Sequence, residues 1–278
     1  EKKCKKAKVT LSVLVSLFRK VIQCIEDISG VFEFNWFSKN FLVTALAEGP
    51  PQIFKYEEEN GLVLMSTTCS EQDLKMTLAV AGNLDSFLTC DNVGFLREWN
   101  LRGSEMEMNR FWKAHDAEIW HVAQDLNDKS VFYTGSDDYT LKMWDIRLEM
   151  SYPVLSSIKG HEAGVCCITP SPWNEFVFAS GSYDEKVRIW DKRNLRSGPT
   201  DTIECGSGAW RVIWNPQKGN EMAVAAMRAG FLLLKENEIV QIEGVDDHVA
   251  YGIDWHKNGK NLVSCSFYNN QGQFFSSK

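Results

Sequence analysis

Positive charge is scarce in this sequence. The chain has 30 lysines and arginines against 37 aspartates and glutamates, which gives a formal net charge of -7 at pH 7. A surface that binds nucleic acid needs a basic patch or stripe, so the composition predicts no nucleic-acid partner. The one basic run, "EKKCKKAK", comprises the first eight residues of the sequence, and a short lysine run at a chain end is usually solvated.

Long hydrophobic runs are also missing. The stretch "KVTLSVLVSLFRKVIQCI" at residues 8–25 is too short, and too often interrupted by charge, to cross a bilayer. No small-residue cleavage pattern follows it. The sequence therefore predicts no association with a membrane.

Motifs that bind metals or identify common enzymes are absent as well. None of the 8 cysteines forms a Cys-x-x-Cys pair or a Cys/His cluster with zinc spacing, so we expect no metal site. Several cysteines lie in apolar runs, as buried free thiols do, which favours a reduced intracellular compartment. The sequence contains no Gly-x-Ser-x-Gly elbow, no Gly-x-Gly-x-x-Gly and no Walker loop, which excludes an α/β-hydrolase elbow and the usual phosphate-binding loops.

An internal repeat is the strongest pattern present. Residues 114–145 and 160–191 align without a gap. In each copy a His precedes a hydroxyl residue, an Asp and a Trp by 19, 23 and 29 positions. The residues are His115, Thr134, Asp138 and Trp144 in the first copy and His161, Ser180, Asp184 and Trp190 in the second. This pattern resembles the WD repeat, which forms one blade of a β-propeller.

Weaker copies flank this pair and extend the repeat along the chain. We expect an all-β WD-repeat propeller over residues 28–278, with seven blades of which the first is atypical or incomplete. Residues 1–27 would form an N-terminal segment that supplies part of this first, closing blade. The other blades are predicted near residues 28–57, 74–101, 115–147, 161–194, 206–236 and 248–276.

The repeated His, hydroxyl, Asp and Trp look like a catalytic triad, but the resemblance implies a structural role. In WD repeats these residues form a hydrogen-bond chain from Trp to Ser or Thr, then to His and to Asp. A buried His and Asp must be paired, and a fully satisfied network makes a blade rigid. Because a catalytic site need occur only once, two copies at identical spacing favour the scaffold over a triad.

Five inner strands of the predicted blades share one equivalent position, and four of the five residues there are aromatic. We expect these residues either to form an aromatic collar at the mouth of the central channel or to pack between blades as core. A collar would suit an extended peptide or a flat side chain. The residues at this position are Phe32, Trp120, Cys166, Trp210 and Tyr251.

The predicted turns add polar residues near the collar. His248 is the histidine least explained by the scaffold, because its blade has "FYNN" (267–270) where the turn Asp would stand. With Asp246 and Asp247 before it, His248 would be either a general base near neutral pH or an ordinary loop residue. The residues that precede the turn Asp, or its equivalent, in three successive blades are Asp137, Tyr183 and Arg228.

The sequence resembles one family beyond the general WD repeat. The motifs "WKAH" (112–115), "AWRVIWNP" (209–216), "HVAYGIDW" (248–255) and "CSFYNN" (265–270), together with "SGSYDEKVRIWD" (180–191), look like the diphthine methyltransferase-type WD proteins. These are better described as diphthine methylesterases, and the resemblance covers roughly residues 28–275. It implies a cytoplasmic ester hydrolase without metal or organic cofactor, which removes a methyl ester from diphthine on a histidine of elongation factor 2 before amidation. The alternative is a non-catalytic WD scaffold or adaptor that binds a protein partner.

The implied substrate suggests roles for particular residues. Diphthine carries a quaternary ammonium, and aromatic rings with nearby carboxylates bind such cations. Asp137 or Glu185 would supply the negative charge, and Arg211 or Arg228 would polarise the ester carbonyl. Candidates for proton transfer are His248 and Tyr251, although no motif identifies the nucleophile or base. The residues expected to bind substrate are Trp120, Trp210, Tyr251, Tyr183 and Glu185.

Overall fold

The computed structural model describes residues 9–15, 20–28, 30–67, 76–103, 105–150, 152–157, 160–244, 248–266 and 272–276. These residues are mostly β-strand, and the one helix among them is a short 3₁₀ helix, Lys192–Ser197. The chain divides into two compact units, Glu1–Lys113 and Ala114–Lys278. The prediction of an all-β propeller is confirmed.

Among its described residues, the first unit has ten strands in three antiparallel sheets. β1 and β2 form a hairpin, and β3–β6 and β7–β10 each form a four-stranded meander. The strands are β1 (Val9–Val15), β2 (Lys20–Ile28), β3 (Val31–Trp36), β4 (Phe41–Leu46), β5 (Gln52–Glu57), β6 (Gly61–Thr67), β7 (Ala79–Gly82), β8 (Phe87–Cys90), β9 (Phe95–Arg102) and β10 (Glu105–Lys113).

The second unit repeats the meander. β11–β14, β15–β18 and β19–β22 are four-stranded sheets, and β23–β25 form a three-stranded sheet within the described residues. The strands are β11 (Ile119–Gln124), β12 (Val131–Ser136), β13 (Leu141–Asp145), β14 (Leu155–Ser157), β15 (Val165–Pro170), β16 (Val177–Ser182), β17 (Lys186–Asp191), β18 (Asp201–Glu204), β19 (Arg211–Trp214), β20 (Glu221–Ala226), β21 (Gly230–Lys235), β22 (Glu238–Glu243), β23 (Ala250–Trp255), β24 (Asn261–Ser266) and β25 (Gly272–Ser276).

The predicted number of blades was wrong. The described residues form five four-stranded blades, not seven. The sequence pattern of an inner strand predicts a blade, but a complete blade also needs an outermost strand. The sequence of an outermost strand shows little hydrophobic alternation. β18, for example, buries only Ile203 among its four residues. For the same reason the outer strands of the five blades lie beyond the ranges predicted for them, as β6 does beyond residue 57. The role of residues 1–27 in closing a ring stays a prediction.

Apolar layers fill the space between successive sheets of the second unit. In one layer the rings of Tyr133 and Phe178 lie 4.8 Å apart, and Phe178 stacks on Trp190 at 6.2 Å. The backbones approach closely at Gly181, where an added Cβ would stand 2.3 Å from the carbonyl oxygen of Ala209. Glycine is therefore required here for the sheets to pack at core density.

The predicted hydrogen-bond chain is complete in β11–β14. Trp144 Nε1 donates to Thr134 Oγ1 at 2.9 Å, His115 Nε2 lies 2.7 Å from the same oxygen, and His115 Nδ1 lies 2.8 Å from Asp138 Oδ2. Burial opposes ionisation of Asp138, but hydrogen bonds from His115 and Thr140 outweigh it and hold the pKa of Asp138 well below its usual range. The satisfied chain supports a structural role for these residues.

The second predicted chain is interrupted, and this corrects the expectation for His161 and Asp184. Trp190 Nε1 donates to Ser180 Oγ at 2.7 Å, and His161 Nε2 lies 2.9 Å from that oxygen. His161 Nδ1, however, is buried without a hydrogen-bond partner among the described residues. Asp184 instead pairs with Arg188 at 2.8 Å, and both side chains are almost fully buried. A buried guanidinium needs a counter-charge, so Arg188 takes the carboxylate that the repeat pattern assigns to His161.

The unpaired His161 predicts a loss of stability in acid. Burial, and next the positive charge of Arg188, lower the pKa of His161 from 6.5 to about 3. Between these values the unfolded chain binds a proton that the folded chain does not, so stability falls as the pH drops below 6.5. The slope approaches about 1.4 kcal/mol per pH unit for this group.

The pH effect can be measured with His161→Gln. We expect the free energy of unfolding in urea to drop less between about pH 7 and pH 5 in the variant than in the wild type. Burial also lowers the pKa of His115, but that contribution is present in both proteins and cancels in the comparison. Equal pH slopes in the two proteins would show that His161 takes up its proton in the folded state.

A third Trp–hydroxyl pair, which was not predicted, lies in β7–β10. Trp99 Nε1 donates to Thr89 Oγ1 at 2.8 Å, with the ten-residue spacing of the two predicted pairs. The signal was therefore present in the sequence. An alignment based on His and Asp does not reveal this pair, because the sequence has neither residue at the expected offset from Thr89.

Candidate functional site

Three inner strands of the second unit, β11, β15 and β23, share a β-bulge at the predicted ring position. The pairing of β11 with β12 shifts between Ile119 and His121, which leaves Trp120 as the bulged residue. Equivalent shifts in β15 and β23 leave out Cys166 and Tyr251. A bulge bends its strand and redirects the side chain, and such bulges are common beside functional sites.

Two further residues complete the equivalent set. Trp210 directly precedes β19, and its N–H donates to the carbonyl of Ala225, the residue that pairs with Arg211. Phe32 occupies a bulge of the same kind in β3, between Val31 and Glu33, and belongs to the first unit.

Four of the predicted substrate-binding residues lie together in the second unit. Trp210 is at the centre, with its ring 5.6 Å from Trp120, 5.7 Å from Tyr183 and 5.1 Å from Tyr251. The rings of Trp120 and Tyr183 lie 6.4 Å apart and meet edge to face. We call Trp120, Tyr183, Trp210 and Tyr251 the aromatic cluster.

The members of the aromatic cluster differ in exposure. Trp210 is only 5% exposed, whereas Tyr183 is 37% exposed. Trp120 and Tyr251 are half-buried. Trp210 therefore packs as a core residue, which was one of the two expectations. Trp120, Tyr183 and Tyr251 around it remain partly exposed to solvent. Cys166, at the same strand position, is fully buried.

A carboxylate is fixed at one side of the aromatic cluster. Trp120 Nε1 donates to Asp137 Oδ1 at 2.7 Å. Gly164 leaves the room for the carboxylate, since an added Cβ would lie 1.9 Å from Oδ1 of Asp137 and 3.3 Å from Cδ2 of Tyr183.

A second glycine, Gly208, lies at the other edge of the Tyr183 ring, where an added Cβ would lie 3.3 Å from Cδ1. Sequence reasoning missed both glycines, although they occupy equivalent positions two residues before Cys166 and Trp210.

A guanidinium is fixed beside the Trp210 ring. Arg211 Nη1 donates to the carbonyl of Trp210 at 3.1 Å and to that of Cys166 at 3.3 Å. The guanidinium carbon lies 5.3 Å from the centroid of the Trp210 ring, a distance typical of a cation–π contact. The aromatic cluster therefore has a negative and a positive group held at defined places.

Burial keeps two nearby acids protonated. It raises the pKa of the Tyr183 phenol above its usual range, and it raises the pKa of the Cys166 thiol well above the ordinary value. A buried thiol with a raised pKa is a poor nucleophile, so Cys166 is a core residue. Tyr183 can donate a hydrogen bond at neutral pH but cannot serve as a base.

The remaining predicted site residues lie apart from these contacts. Glu185 has an exposed side chain and a φ of 68°, and no described contact joins it to the aromatic cluster. His248 precedes Ala250 by two residues, whereas His115 and His161 precede the corresponding Ile119 and Val165 by four. His248 therefore does not hold the scaffold position, and no described contact brings it to the rings.

Two other predictions concern polar loop residues. Arg228 is exposed, and its backbone N–H donates to Ser207 Oγ at 3.3 Å, which joins the turn between β20 and β21 to the loop before β19. Asp246, Asp247 and residues 267–270 lie outside the described residues. Of the three catalytic candidates, Tyr251 and Arg211 are thus at the aromatic cluster, and the assignment of catalytic roles stays a prediction.

The indole N–H of Trp210 gives a test of the core packing. Nε1 of Trp210 is buried without a hydrogen-bond partner among the described residues, whereas Nε1 of Trp190 donates to Ser180. Both Trp→Phe changes shrink a buried ring, but only Trp190→Phe also breaks a buried hydrogen bond. We expect Trp190→Phe to lower the free energy of unfolding by about 1–2 kcal/mol more than Trp210→Phe does. Equal losses in urea denaturation would show that the Trp210 N–H is paired in solution.

The described ranges contain neither a metal-binding cluster nor a membrane-spanning helix. No group of three or more His, Cys, Asp or Glu residues there is arranged to hold a metal ion. Within the same ranges, no helix has the length and apolar character needed to cross a membrane.

Comparison with known proteins defines the class of the fold. The family model "WD domain, G-beta repeat" matches residues 106–145 and 152–191. A chain in the "Crystal Structure of Mitotic Checkpoint Complex" superposes with a TM-score of 0.79 and 16% identity, over 97% of this chain and 82% of that one. This protein is a WD-repeat β-propeller.

Its relatives narrow the class to one family. The "Diphthine methyltransferase homolog" of Dictyostelium discoideum is 32% identical over 90% of this chain and 77% of its own length. The human "Diphthine methyltransferase" is 33% identical over 52% of this chain, and that of Schizosaccharomyces pombe is 27% identical over 56%. The chain belongs to the diphthine methyltransferase family, which confirms the resemblance found in the sequence. The matches span only 33% of the human protein and 50% of the fission-yeast protein.

Proposed function

We propose that this protein is an enzyme that hydrolyses the methyl ester of diphthine on elongation factor 2, a late step of diphthamide biosynthesis before amidation. The names of the relatives indicate an enzyme that acts on diphthine methyl groups, and a WD-repeat propeller indicates a protein partner. The finer assignment rests on the aromatic cluster, with Asp137 bonded to Trp120 and Arg211 beside the Trp210 ring. The buried free thiols among the described residues agree with a cytoplasmic site of action.

The aromatic cluster suits the cationic part of this substrate. A quaternary ammonium cannot donate hydrogen bonds, so it is bound by ring faces and by nearby negative charge. Trp120, Tyr183 and Tyr251 retain exposed ring surface around the buried Trp210. The carboxylate of Asp137 adds the negative charge at the same place.

The two charged groups supply what ester hydrolysis requires. Arg211 stabilises the negative charge that develops on the carbonyl oxygen, as a fixed donor does in other acyl-transfer sites. Asp137 accepts a proton from the attacking water as its oxygen bonds to the carbonyl carbon. The bond to the methoxy oxygen then breaks and that proton leaves with methanol. The remaining carboxylic acid ionises to a carboxylate and releases one proton.

The experiment uses elongation factor 2 that carries methylated diphthine as the substrate. Incubation in water enriched in heavy oxygen is expected to remove one methyl group by mass, place the label in the product carboxylate and release unlabelled methanol. Transfer of the methyl group to an acceptor would give no methanol. Stable binding to elongation factor 2 without methyl loss at any enzyme concentration would contradict the proposal and favour the non-catalytic scaffold.

A further inference from the structure

The two charged groups beside the aromatic cluster have opposite signs and act on one side chain. Burial is the largest cause of the raised pKa of Tyr183, and Asp137 raises that pKa further while Arg211 lowers it. Each charged group is also held in place by a ring or by backbone, Asp137 by Trp120 and Arg211 by the carbonyls of Cys166 and Trp210. Neither charge therefore has to be reoriented when a ligand binds.

We propose that the aromatic cluster is a betaine site, which binds a quaternary ammonium and a carboxylate carried by the same small group. The inference rests on the proposed function. It adds that the protein holds the acid product of ester hydrolysis more tightly than the ester substrate. It also adds that free betaines of low molecular weight compete for the same site.

The preference for the acid follows from the charge that hydrolysis creates. The methyl ester presents a neutral carbonyl to Arg211, whereas the product presents two carboxylate oxygens. A carboxylate can accept two parallel bonds from a guanidinium and carries the opposite charge, whereas an ester carbonyl offers one acceptor oxygen without net charge. The cation contributes equally to both ligands, because its contacts with the rings do not change. Arg211 therefore determines the difference between acid and ester.

The opposite charges also discriminate against simpler ligands. A neutral group with the shape of trimethylammonium would lose both the ring attraction and the attraction to Asp137. A cation without a carboxylate would bring no negatively charged acceptor to the guanidinium. The geometry thus favours a zwitterion over either half of it.

The experiment measures the binding of three small probes by the broadening and shift of their methyl signals in NMR titrations. The probes are glycine betaine, its methyl ester, and 3,3-dimethylbutanoate, which has the same shape as betaine but a neutral tert-butyl group. We expect glycine betaine to bind about tenfold more tightly than the methyl ester and to exceed 3,3-dimethylbutanoate by at least as much. Equal or tighter binding of the ester, or no binding of any probe, would overturn the inference.

Variants assign the binding to the aromatic cluster. Arg211→Gln should bring the affinities of acid and ester to within about twofold, and Arg211→Lys, which keeps the charge, should restore part of the difference. Trp120→Ala should weaken all cationic probes. Tyr152→Ala changes a ring that is 82% exposed and outside the aromatic cluster, so it serves as the matched control and should leave every affinity unchanged. Loss of binding in the control alone would place the site elsewhere and contradict the inference.

The inference and the proposed function fail in different ways. Inhibition of methyl release by glycine betaine and by demethylated elongation factor 2, competitive with substrate, is expected if both hold. Methyl release that neither ligand inhibits would overturn the betaine site and leave the hydrolase. Binding of the probes in the expected order, with no methyl release from elongation factor 2, would overturn the hydrolase and support the betaine site.

Discussion

Replacement of Asp184 by alanine is expected to lower the free energy of unfolding by about 3–5 kcal/mol, because it leaves the charge of Arg188 buried without a partner. Nη1 of Arg188 donates to Oδ1 of Asp184 at 2.9 Å and lies 2.8 Å from Oδ2. Asp184 also accepts hydrogen bonds from the N–H groups of Glu162 and Lys186. Removal of the carboxylate therefore breaks the link between the turn, the strand β17 and the loop before β15.

The corresponding change in the neighbouring blade is a matched control. Asp138 faces His115, which is buried and neutral, and its nearest cation is Lys142 at 4.0 Å. Asp138→Ala should therefore cost less, about 1–3 kcal/mol, because no charge is stranded. The double change Asp184→Ala with Arg188→Met should recover much of the loss, since it removes the buried charge together with its partner. Equal losses for the two Asp variants in urea denaturation, with no recovery in the double variant, would contradict this account.

The sequence allowed the repeat to be located but not the pairing within it. The two copies have the same four residues at the same offsets, so identical hydrogen-bond chains were the natural expectation. The difference comes from a fifth position, where the first copy has Lys142 and the second has Arg188. The amine of Lys142 reaches the carbonyl of Ala114, whereas the guanidinium of Arg188 turns to Asp184. Which partner a buried cation takes depends on side-chain geometry that a residue pattern does not contain.

The ring positions of the site were predictable for a physical reason. Three inner strands of the second unit bulge at the same place, so an alignment of strand sequences also aligns the bulged residues. Whether the rings touch depends on how neighbouring sheets pack, and no single-strand pattern reports that. Glu185 shows the limit most clearly. It lies two residues from Tyr183 and has a positive φ in the turn. Its side chain takes no described part in the aromatic cluster.

Substitution of Arg211 is expected to have the second large effect, on the rate of methyl-ester hydrolysis. Arg211→Gln is expected to reduce kcat/KM for methyl-ester hydrolysis by about 100- to 1000-fold, which is the usual consequence of removing a group that stabilises a developing oxyanion. Arg211→Lys should show an intermediate loss, because an ammonium keeps the charge but not the planar array of donors. The measurement is the rate of methanol release from elongation factor 2 that carries methylated diphthine.

A structural role of Arg211 has to be separated from this catalytic one, because its Nη1 also bonds to two backbone carbonyls. The thermal midpoint of Arg211→Gln and its affinity for the methyl ester of glycine betaine report on the fold and on the cation-binding rings. Both should stay close to wild type while kcat falls. A rise in KM with unchanged kcat would mean that Arg211 binds substrate and transition state equally, and it would contradict the oxyanion role. A fall in kcat with an intact aromatic cluster would instead place the reacting carbonyl within reach of the guanidinium and support the oxyanion role.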